Sequence, residues 1–167
     1  MTVIIDGTTG VSAVQAGVVE QADLAAGVAG NGPAFRAFLS ANQAVAHNTN
    51  TKISFDSETF DTNSNFASGR FTPTVAGYYY IMSTVAMSQT TQCIINIYKN
   101  GSVYLTGSPQ TGWAGIAGVS GVIYDTVYFN GSTDYVEIYA YQATGISQNA
   151  VGGTQYSTFS GVLARAA

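Results

Sequence analysis

Two segments of this chain, 78–87 and 135–141, alternate like β-strands but carry large apolar side chains on both sides. Successive side chains of a strand point to opposite faces, and an antiparallel sheet usually exposes one face to solvent. A strand that is apolar on both faces therefore needs a second covering layer, and for a chain this short the simplest cover is another copy of itself. The side chains predicted to lie in that interface are Tyr78, Tyr80, Tyr135, Tyr139 and Tyr141. The alternative is that these tyrosines cover the surface with their hydroxyl groups in water.

The charge content of the chain is unusually low. Charged residues make up 8% of the 167 residues, against about 25% in an average globular domain, so Ser, Thr, Asn, Gln, Gly and Tyr must cover the surface. The net charge is -4 and the five basic residues are scattered, which excludes a surface that follows nucleic-acid phosphates. Gly, Ser or Thr interrupts every apolar run before the roughly 18–20 residues that a membrane span requires.

From Phe35 onward the composition is that of an all-β domain. Val, Ile, Thr, Tyr and Phe occur in short runs separated by turn residues, which predicts a sandwich or jelly roll. Asn100-Gly101 and Asn130-Gly131 each lie between two such runs. Because Asn-Gly readily adopts the positive φ angles of a type I′ turn, both sites are predicted hairpins.

Residues 1–33 differ from the rest and predict a separate N-terminal segment before a domain at 34–167. They lack aromatic residues and end in the breaker cluster Gly30-Asn31-Gly32-Pro33. A three- and four-residue spacing predicts a short coiled-coil stalk, and a flexible or extended arm is the alternative. The residues at that spacing are Val11, Val14, Val18, Gln21, Ala25 and Val28. The first ten residues carry no basic region ahead of an apolar one, so we expect no secretion signal.

No pattern in the sequence indicates catalysis. His47 is the one histidine and Cys93 the one cysteine, so neither a metal-ligand cluster nor an internal disulfide is expected. The acid pairs Asp56/Glu58 and Asp134/Glu137 are more typical of a solvated strand edge than of a glycosidase pair. We therefore predict a protein without enzymatic activity or cofactor.

The glycine-rich segment 112–118 contains Trp113, the only tryptophan, and lacks strand alternation. Aromatic side chains in loops on a rigid β scaffold often carry recognition, especially of sugar faces. We take Trp113, Thr111 and Tyr104 as candidate receptor contacts. The alternative is that Trp113 folds back over the end of the sandwich.

Three ordered motifs in the globular part resemble the signature of the complement C1q globular-head family. The first is an Asp or Asn followed by aromatic residues, Gly, a basic residue, Phe and Pro, and then a Gly-Tyr strand. The second is a Lys-Asn-Gly hairpin and the third a closing Phe-Ser-Gly-x-Leu strand. They occupy 55–81, 97–101 and 156–163, and the first has about two residues fewer than usual between Phe66 and Phe71.

The resemblance implies a ten-stranded jelly roll shared with the tumour-necrosis-factor superfamily, assembled as a homotrimer around an aromatic axis. Some C1q-like proteins hold Ca²⁺, but the nine acids here form no evident oxygen cluster. Residues 1–33 contain no collagen-like repeat. Segments 4–10 and 21–27 instead resemble stalk segments of bacteriophage tail-fibre and tail-tip proteins.

These features together predict a trimeric bacteriophage tail-fibre protein, made in the host cytoplasm and carried on the virion. Its N-terminal segment would dock to other tail or baseplate proteins, and its head would adhere to a polysaccharide or protein receptor on the host surface. Neither nucleic-acid binding nor membrane insertion is expected. The alternatives are a structural or decoration protein of the virion that binds no receptor, and a C1q-like binding module outside phage.

Overall fold

A computed structural model of the chain describes residues 32–88, 92–111 and 118–167. Within this part the chain is all-β and forms fourteen strands, of which ten have three or more residues and four have two. The strands are β1 (Ala34–Phe38), β2 (Gln43–Val45), β3 (Thr51–Lys52), β4 (Ser57–Asp61), β5 (Phe66–Ala67), β6 (Arg70–Phe71), β7 (Gly77–Met87), β8 (Gln92–Lys99), β9 (Ser102–Thr106), β10 (Gln110–Thr111), β11 (Val119–Phe129), β12 (Val136–Tyr141), β13 (Gln148–Ala150) and β14 (Thr158–Ala166). The predicted segment 1–33 lies outside the described residues except for its last two, so its boundary stays a prediction.

The strands form two seven-stranded sheets packed face to face. The first sheet has the order β2-β13-β7-β14-β1-β4, with β11 paired to the free side of β7. The second has the order β10-β8-β12-β6-β5, with β3 paired to β12 and β9 to β8. All of these strand pairs are antiparallel. No helix in the described residues has the length and apolarity to cross a membrane.

Phe35 lies at the centre of the core between the sheets. Its ring stacks on Phe66 and Phe71 of the second sheet, at centroid distances of 4.9 and 4.3 Å. The Phe159 ring, on the neighbouring strand β14, lies perpendicular to the Phe35 ring at a centroid distance of 4.9 Å. All four rings are buried, and such aromatic pairs contribute about 0.5–1.5 kcal/mol each beyond burial alone. This cluster joins the first and last strands of the domain to the opposite sheet.

The Asn100-Gly101 hairpin prediction is confirmed. The two residues have φ angles of 52° and 78° and connect β8 to β9, in which Lys99 pairs with Ser102. A similar two-residue hairpin joins β5 to β6 through Ser68 and Gly69, both with positive φ. This tight turn accounts for the short spacing between the first motif's two phenylalanines.

The second hairpin prediction is wrong. Strands β11 and β12 flank Asn130-Gly131, yet β11 pairs with β7 in the first sheet and β12 with β8 in the second. The Oδ1 atom of Asn130 accepts hydrogen bonds from the backbone N–H groups of Ser132, Thr133 and Asp134. Asn130 thus stabilises a loop that connects the two sheets. Its side chain accepts backbone hydrogen bonds of the turn, whereas in a hairpin the paired strands would hold the turn together.

The two ends of the sandwich differ in what they present. The described chain enters at the base, where the backbone oxygen of Pro33 accepts a hydrogen bond from Leu163 and where Gly77 pairs with Phe129. At the opposite, distal end, Met87 pairs with Val119. Thr111 and Val119, which lie on either side of residues 112–118, are therefore at the distal end, away from Pro33.

Gly161, in the closing Phe-Ser-Gly-x-Leu motif, is required by the Phe35 cluster. A Cβ atom at this position would lie 2.7 Å from the Phe35 ring and 2.9 Å from Ile81 Cδ1. Gly161→Ala is therefore expected to lower the free energy of unfolding by about 1–3 kcal/mol, as overpacked core substitutions do. Urea unfolding followed by circular dichroism measures this. Ser160→Ala, one residue away on the outward face, is the control and should change stability by less than about 0.5 kcal/mol. Equal stability of the two variants would contradict the close packing.

Candidate interaction surface

The outward face of the first sheet is covered with large apolar side chains, which we call the apolar face. Each of them is more than 40% exposed. The apolar face consists of Phe60, Tyr78, Tyr80, Met82, Val122, Tyr124, Tyr128 and Val162. Contiguous exposed apolar patches larger than a few hundred Å² are rare on monomers and usually mark interaction sites.

Strand register makes this face continuous. Met82 pairs with Tyr124 on one side and with Ser160 on the other, so one row crosses from β11 to β14. Tyr80 pairs with Val162 in the next row. The Tyr78 and Tyr128 rings, which lie on directly paired residues, contact each other at 5.4 Å between centroids. The patch therefore spans several strands and is not a scatter of single side chains.

A groove of about 860 Å³ runs across the apolar face, with Tyr80, Met82 and Tyr124 in its lining. The charged residues in its lining are Arg36 and Asp125. Arg36 is already engaged, because its guanidinium donates to Thr59 Oγ1 at 2.8 Å and to the Thr154 carbonyl at 2.6 Å. The groove is consequently suited to an apolar side chain of a partner.

Strand β11 forms a long edge of the first sheet. In the described part of the chain it pairs along all of its eleven residues with β7 and with no other strand. An exposed apolar edge of this length invites further pairing, and natural proteins usually protect such edges with charge or cover them. Asp125 is the single charged residue of β11, so charge protects this edge weakly.

The predicted interface tyrosines fall on two different sheets. Tyr78 and Tyr80 lie on the apolar face. Tyr135 precedes β12, and Tyr139 and Tyr141 lie on β12 in the second sheet. The alternation predicted for β12 is confirmed, since Val136, Ile138 and Ala140 are buried. The two groups of tyrosines are not one patch, and the interface role of each stays a prediction.

Contacts within the chain partly cover the tyrosines of the second sheet. Tyr139 stacks on Tyr98 at 3.9 Å, with 28° between the rings. The guanidinium of Arg70 lies 3.8 Å from the centre of the Tyr135 ring, and the Tyr141 hydroxyl donates to Asn48 at 3.0 Å. The expectation that another copy must cover this face overlooked these neighbours, which come from distant parts of the sequence.

Glu137 lies among these tyrosines with its side chain only 4% exposed. Its Oε1 atom accepts hydrogen bonds from Lys52 Nζ at 2.6 Å and Arg70 Nε at 2.9 Å. Burial alone raises the pKa of Glu137, but the hydrogen bonds and positive charges of Lys52 and Arg70 outweigh it, and the net shift is downward. The carboxylate is therefore ionised at neutral pH and holds both cations against the sheet.

One polar atom of this face lacks a donor. Asn96 lies on β8 directly opposite Tyr139. Its Nδ2 group donates to Asn50 Oδ1 at 2.9 Å, whereas its own Oδ1 atom is buried with no hydrogen-bond partner in the described residues. An unpaired buried acceptor costs about 1–3 kcal/mol, so the polar groups of this face are incompletely satisfied by the described chain alone.

Two of the three candidate receptor contacts, Thr111 and Tyr104, lie apart. Thr111 lies in β10 at the distal end, paired with Gln92. Tyr104 lies in β9 closer to the base, where the adjacent Leu105 pairs with Ile97. The partners Gln92 and Ile97 are five positions apart on β8, which is roughly 16 Å along a strand. Trp113 lies outside the described residues.

The remaining reactive side chains are buried or form hydrogen bonds within the chain. Cys93 is fully buried, and burial raises the pKa of its thiol to about 12. His47 accepts a hydrogen bond at Nδ1 from the backbone N–H of Gly145. Hydrogen bonds from Ser40 lower the pKa of Asp56. In the described residues no three His, Cys, Asp or Glu side chains converge to hold a metal ion.

The two carboxylates of the second acid pair bind different partners. Asp134 forms an ion pair with Lys99 at 3.0 Å and accepts a hydrogen bond from Asn100 Nδ2 at 2.8 Å. The Asn100 hydrogen bond is the main cause that lowers the pKa of Asp134, with Lys99 contributing. Asp134 thus pins the β8–β9 hairpin to the β11–β12 loop, while Glu137 binds the cations of β3 and β6. Neither carboxylate is free to act with the other.

Part of the apolar face was missed by the sequence analysis although its signal was present. The segment Val119–Phe129 alternates Val122, Tyr124 and Tyr128 with buried residues, which is the same two-faced pattern that identified Tyr78 and Tyr80. Phe60 is a single apolar residue among polar neighbours, and Val162 lies between Gly161 and Leu163 in the closing motif. Only the pairing of β4, β1 and β14 places those two beside the tyrosines.

Comparisons with known proteins agree with this architecture. No protein-family model matches the sequence, and no curated protein matches it. The globular domain of zebrafish complement 1qA protein matches the structure with a TM-score of 0.59 at 19% sequence identity, over 81% of this chain and 99% of that chain. The chain has the jelly-roll fold of C1q and TNF domains.

Two further solved structures support the fold. Eiger TNF from S. frugiperda matches with a TM-score of 0.59 at 10% identity, over 81% of this chain and 92% of that chain. Murine APRIL at pH 5.0 matches with a TM-score of 0.60 at 9% identity, over 78% of this chain and 98% of that chain. The jelly roll that the sequence motifs predicted is confirmed, and at these identities the likeness concerns the fold alone.

The ion pairs of Glu137 predict a pH-dependent contribution to stability. Because the pKa of Glu137 is lower in the folded chain than its usual 4.5, its contribution is present above that value and is lost as the pH falls through the folded pKa. Glu137→Gln should therefore lower the free energy of unfolding by about 1–3 kcal/mol at pH 7. The difference from wild type should shrink below about pH 4. Urea unfolding between pH 3 and 7 measures both.

Glu58→Gln is the matched control, because Glu58 is exposed on β4. It should change stability by less than about 0.5 kcal/mol at every pH. A Glu137→Gln effect that stays constant from pH 7 to pH 3 would contradict the ion-pair assignment.

Proposed function

We propose that this chain is a homotrimeric tail-fibre protein of a bacteriophage, whose jelly-roll head adheres to the host cell surface without catalysis. The observation that carries the proposal is the apolar face, because eight large apolar side chains that are each more than 40% exposed need a partner surface. The resemblance of the motifs to C1q-like heads supports a trimer, in which the partner surface belongs to another copy of the chain. The phage assignment is supported by the resemblance of segments 4–10 and 21–27 to tail-fibre stalks.

A threefold ring joins two different patches of each copy, since the interface is heterologous. The chain offers two such patches side by side, the apolar face and the long edge of β11. In the proposed trimer, the β11 edge of one copy packs against the apolar face of the next, and side chains from that edge enter the groove. Such an interface would also add stability that depends on protein concentration.

The positions of the two ends of the domain support adhesion through the distal loops. Pro33, the last residue of the N-terminal segment, lies at the base. Thr111 and Val119, between which Trp113 lies in the sequence, are at the distal end. In the proposed arrangement, residues 1–33 dock to tail or baseplate proteins and the loops face the host. Three weak sites on one rigid head would act together, so avidity supplies the strength of attachment.

The trimer predicts that a charge on the apolar face prevents assembly. Tyr80→Asp and Tyr124→Asp should each give monomeric or insoluble protein, because a buried unpaired carboxylate would be repeated in every copy. Light scattering on the purified wild type should give about three times the 17.4 kDa chain mass. Tyr104→Asp, a similarly exposed tyrosine on the second sheet, is the control and should remain trimeric. A monomeric wild type, or intact trimers from both apolar-face variants, would refute this interface.

Adhesion predicts saturable binding of labelled full-length protein to intact cells of some members of a panel of bacterial strains. Trp113→Ala should reduce the amount of labelled protein bound to the cells about tenfold, the loss typical of an aromatic hot spot. Its oligomeric mass should be unchanged. Thr111→Ala should reduce binding less. Tyr104, the third candidate contact, lies five positions along β8 from Thr111. Tyr104→Ala should therefore bind like wild type, and it serves as the aromatic control.

Three results would contradict parts of this proposal. Binding of Trp113→Ala at the wild-type level would show that Trp113 does not contribute to the receptor contact. Failure of a trimeric wild type to bind any strain would favour a virion structural role without receptor binding. Release of reducing sugars from cell envelopes would show an enzyme.

A further inference from the structure

The outward face of the second sheet presents cations beside aromatic rings. Lys52 and Arg70 are two of the five basic residues of the chain, and both converge on the buried Glu137. Their side chains remain 30% and 44% exposed, whereas that of Glu137 is 4% exposed. Solvent at this face therefore meets two positive groups above a carboxylate that it cannot reach.

Most of the hydrogen-bond donors of these two cations are unused. Arg70 donates to Glu137 through Nε, and its terminal Nη groups have no hydrogen-bond partner in the described residues. Lys52 Nζ donates once, to the same oxygen. The Arg70 guanidinium lies over the Tyr135 ring, with Cζ 3.8 Å from the ring centroid, and Nε is held by Glu137. These two contacts restrain its planar donor fork before any ligand arrives. A carboxylate or phosphate accepts such a fork in a bidentate manner.

Aromatic rings flank the cations on the same face. Lys52 pairs with Tyr139 in the strand register, and Tyr139 stacks on Tyr98. Both tyrosines are half-buried, so part of the pair remains open to solvent. Ring surfaces next to polar groups are the usual elements with which proteins hold the apolar face of a sugar. The acceptor without a donor at Asn96 Oδ1 lies in the same strand row.

We propose that this face binds an acidic saccharide. The sugar ring packs against the Tyr98–Tyr139 pair, and the anionic group of the sugar accepts hydrogen bonds from Arg70 and Lys52. A free inorganic anion would use the cations but not the tyrosines, and a neutral sugar would use the tyrosines but not the cations. The site lies on the sheet opposite the apolar face, so it requires neither the interface proposed for that face nor the distal loops.

Titration calorimetry of the full-length protein tests this site with three acidic probes: trigalacturonic acid, a glucuronic acid disaccharide and sialyllactose. At least one should bind, and it should do so about tenfold more tightly than its methyl ester or acetate, because each of these lacks one half of the recognition. Arg70→Gln and Tyr139→Ala should each weaken that binding about tenfold. Arg70→Lys, which keeps the charge but loses the planar fork, should give an intermediate loss.

Arg165→Gln is the matched control, because it removes the same charge from an exposed arginine at the end of β14, and it should bind like wild type. Circular dichroism and solution mass should be unchanged in every variant compared. No binding by any of the three probes would overturn the proposal. Equal binding of acetate or of the methyl ester, or an equal loss in Arg165→Gln, would overturn it as well.

Discussion

The packing of Phe35 against Phe66, Phe71 and Phe159 is the contact on which the rest of the domain depends. Phe35 lies on the first strand and Phe159 on the last, and both belong to the first sheet. Phe66 and Phe71 belong to the second sheet and are brought together by a two-residue turn. Stacking of these rings therefore closes the chain on itself and holds the two sheets together at one point. Gly161 leaves the space that the Phe35 ring occupies.

Closure of the sandwich determines what each outer surface can do. With the inner faces occupied by the core, the alternate side chains of β7 and β11 must point outward, and most of the large ones are Tyr, Met or Val. The outer face of β12 is different, because it contacts residues that are distant in the sequence. Lys52 and Arg70 form ion pairs with Glu137, and Tyr98 stacks on Tyr139. One sheet therefore presents an uncovered apolar surface and the other a polar surface largely organised within the chain. This contrast is the basis for assigning self-association to the first sheet and ligand recognition to the second.

Local patterns predicted those features that local physics decides. The Asn100-Gly101 turn followed from the backbone freedom of two residues, and the inward set Val136, Ile138 and Ala140 followed from strand alternation. The Asn130-Gly131 prediction failed on the same signal, because the turn sequence does not specify whether the next strand stays in its sheet. There the side chain of Asn130 closes the loop, and the following strand pairs with β8 because the second sheet offers the free partner.

The sequence by itself determined the all-β class, the period-two faces of the long strands and the low surface charge, since each depends on neighbouring residues or on composition. Only the tertiary structure decided that Tyr78 and Tyr80 share a face with Tyr124 and Val162 while Tyr139 lies on the other sheet. It also decided that Lys52 and Arg70, separated from Glu137 by 85 and 67 positions, meet at one oxygen. Sheet order and register are set by long-range pairing, and alternation within one strand carries no information about which strand lies beside it.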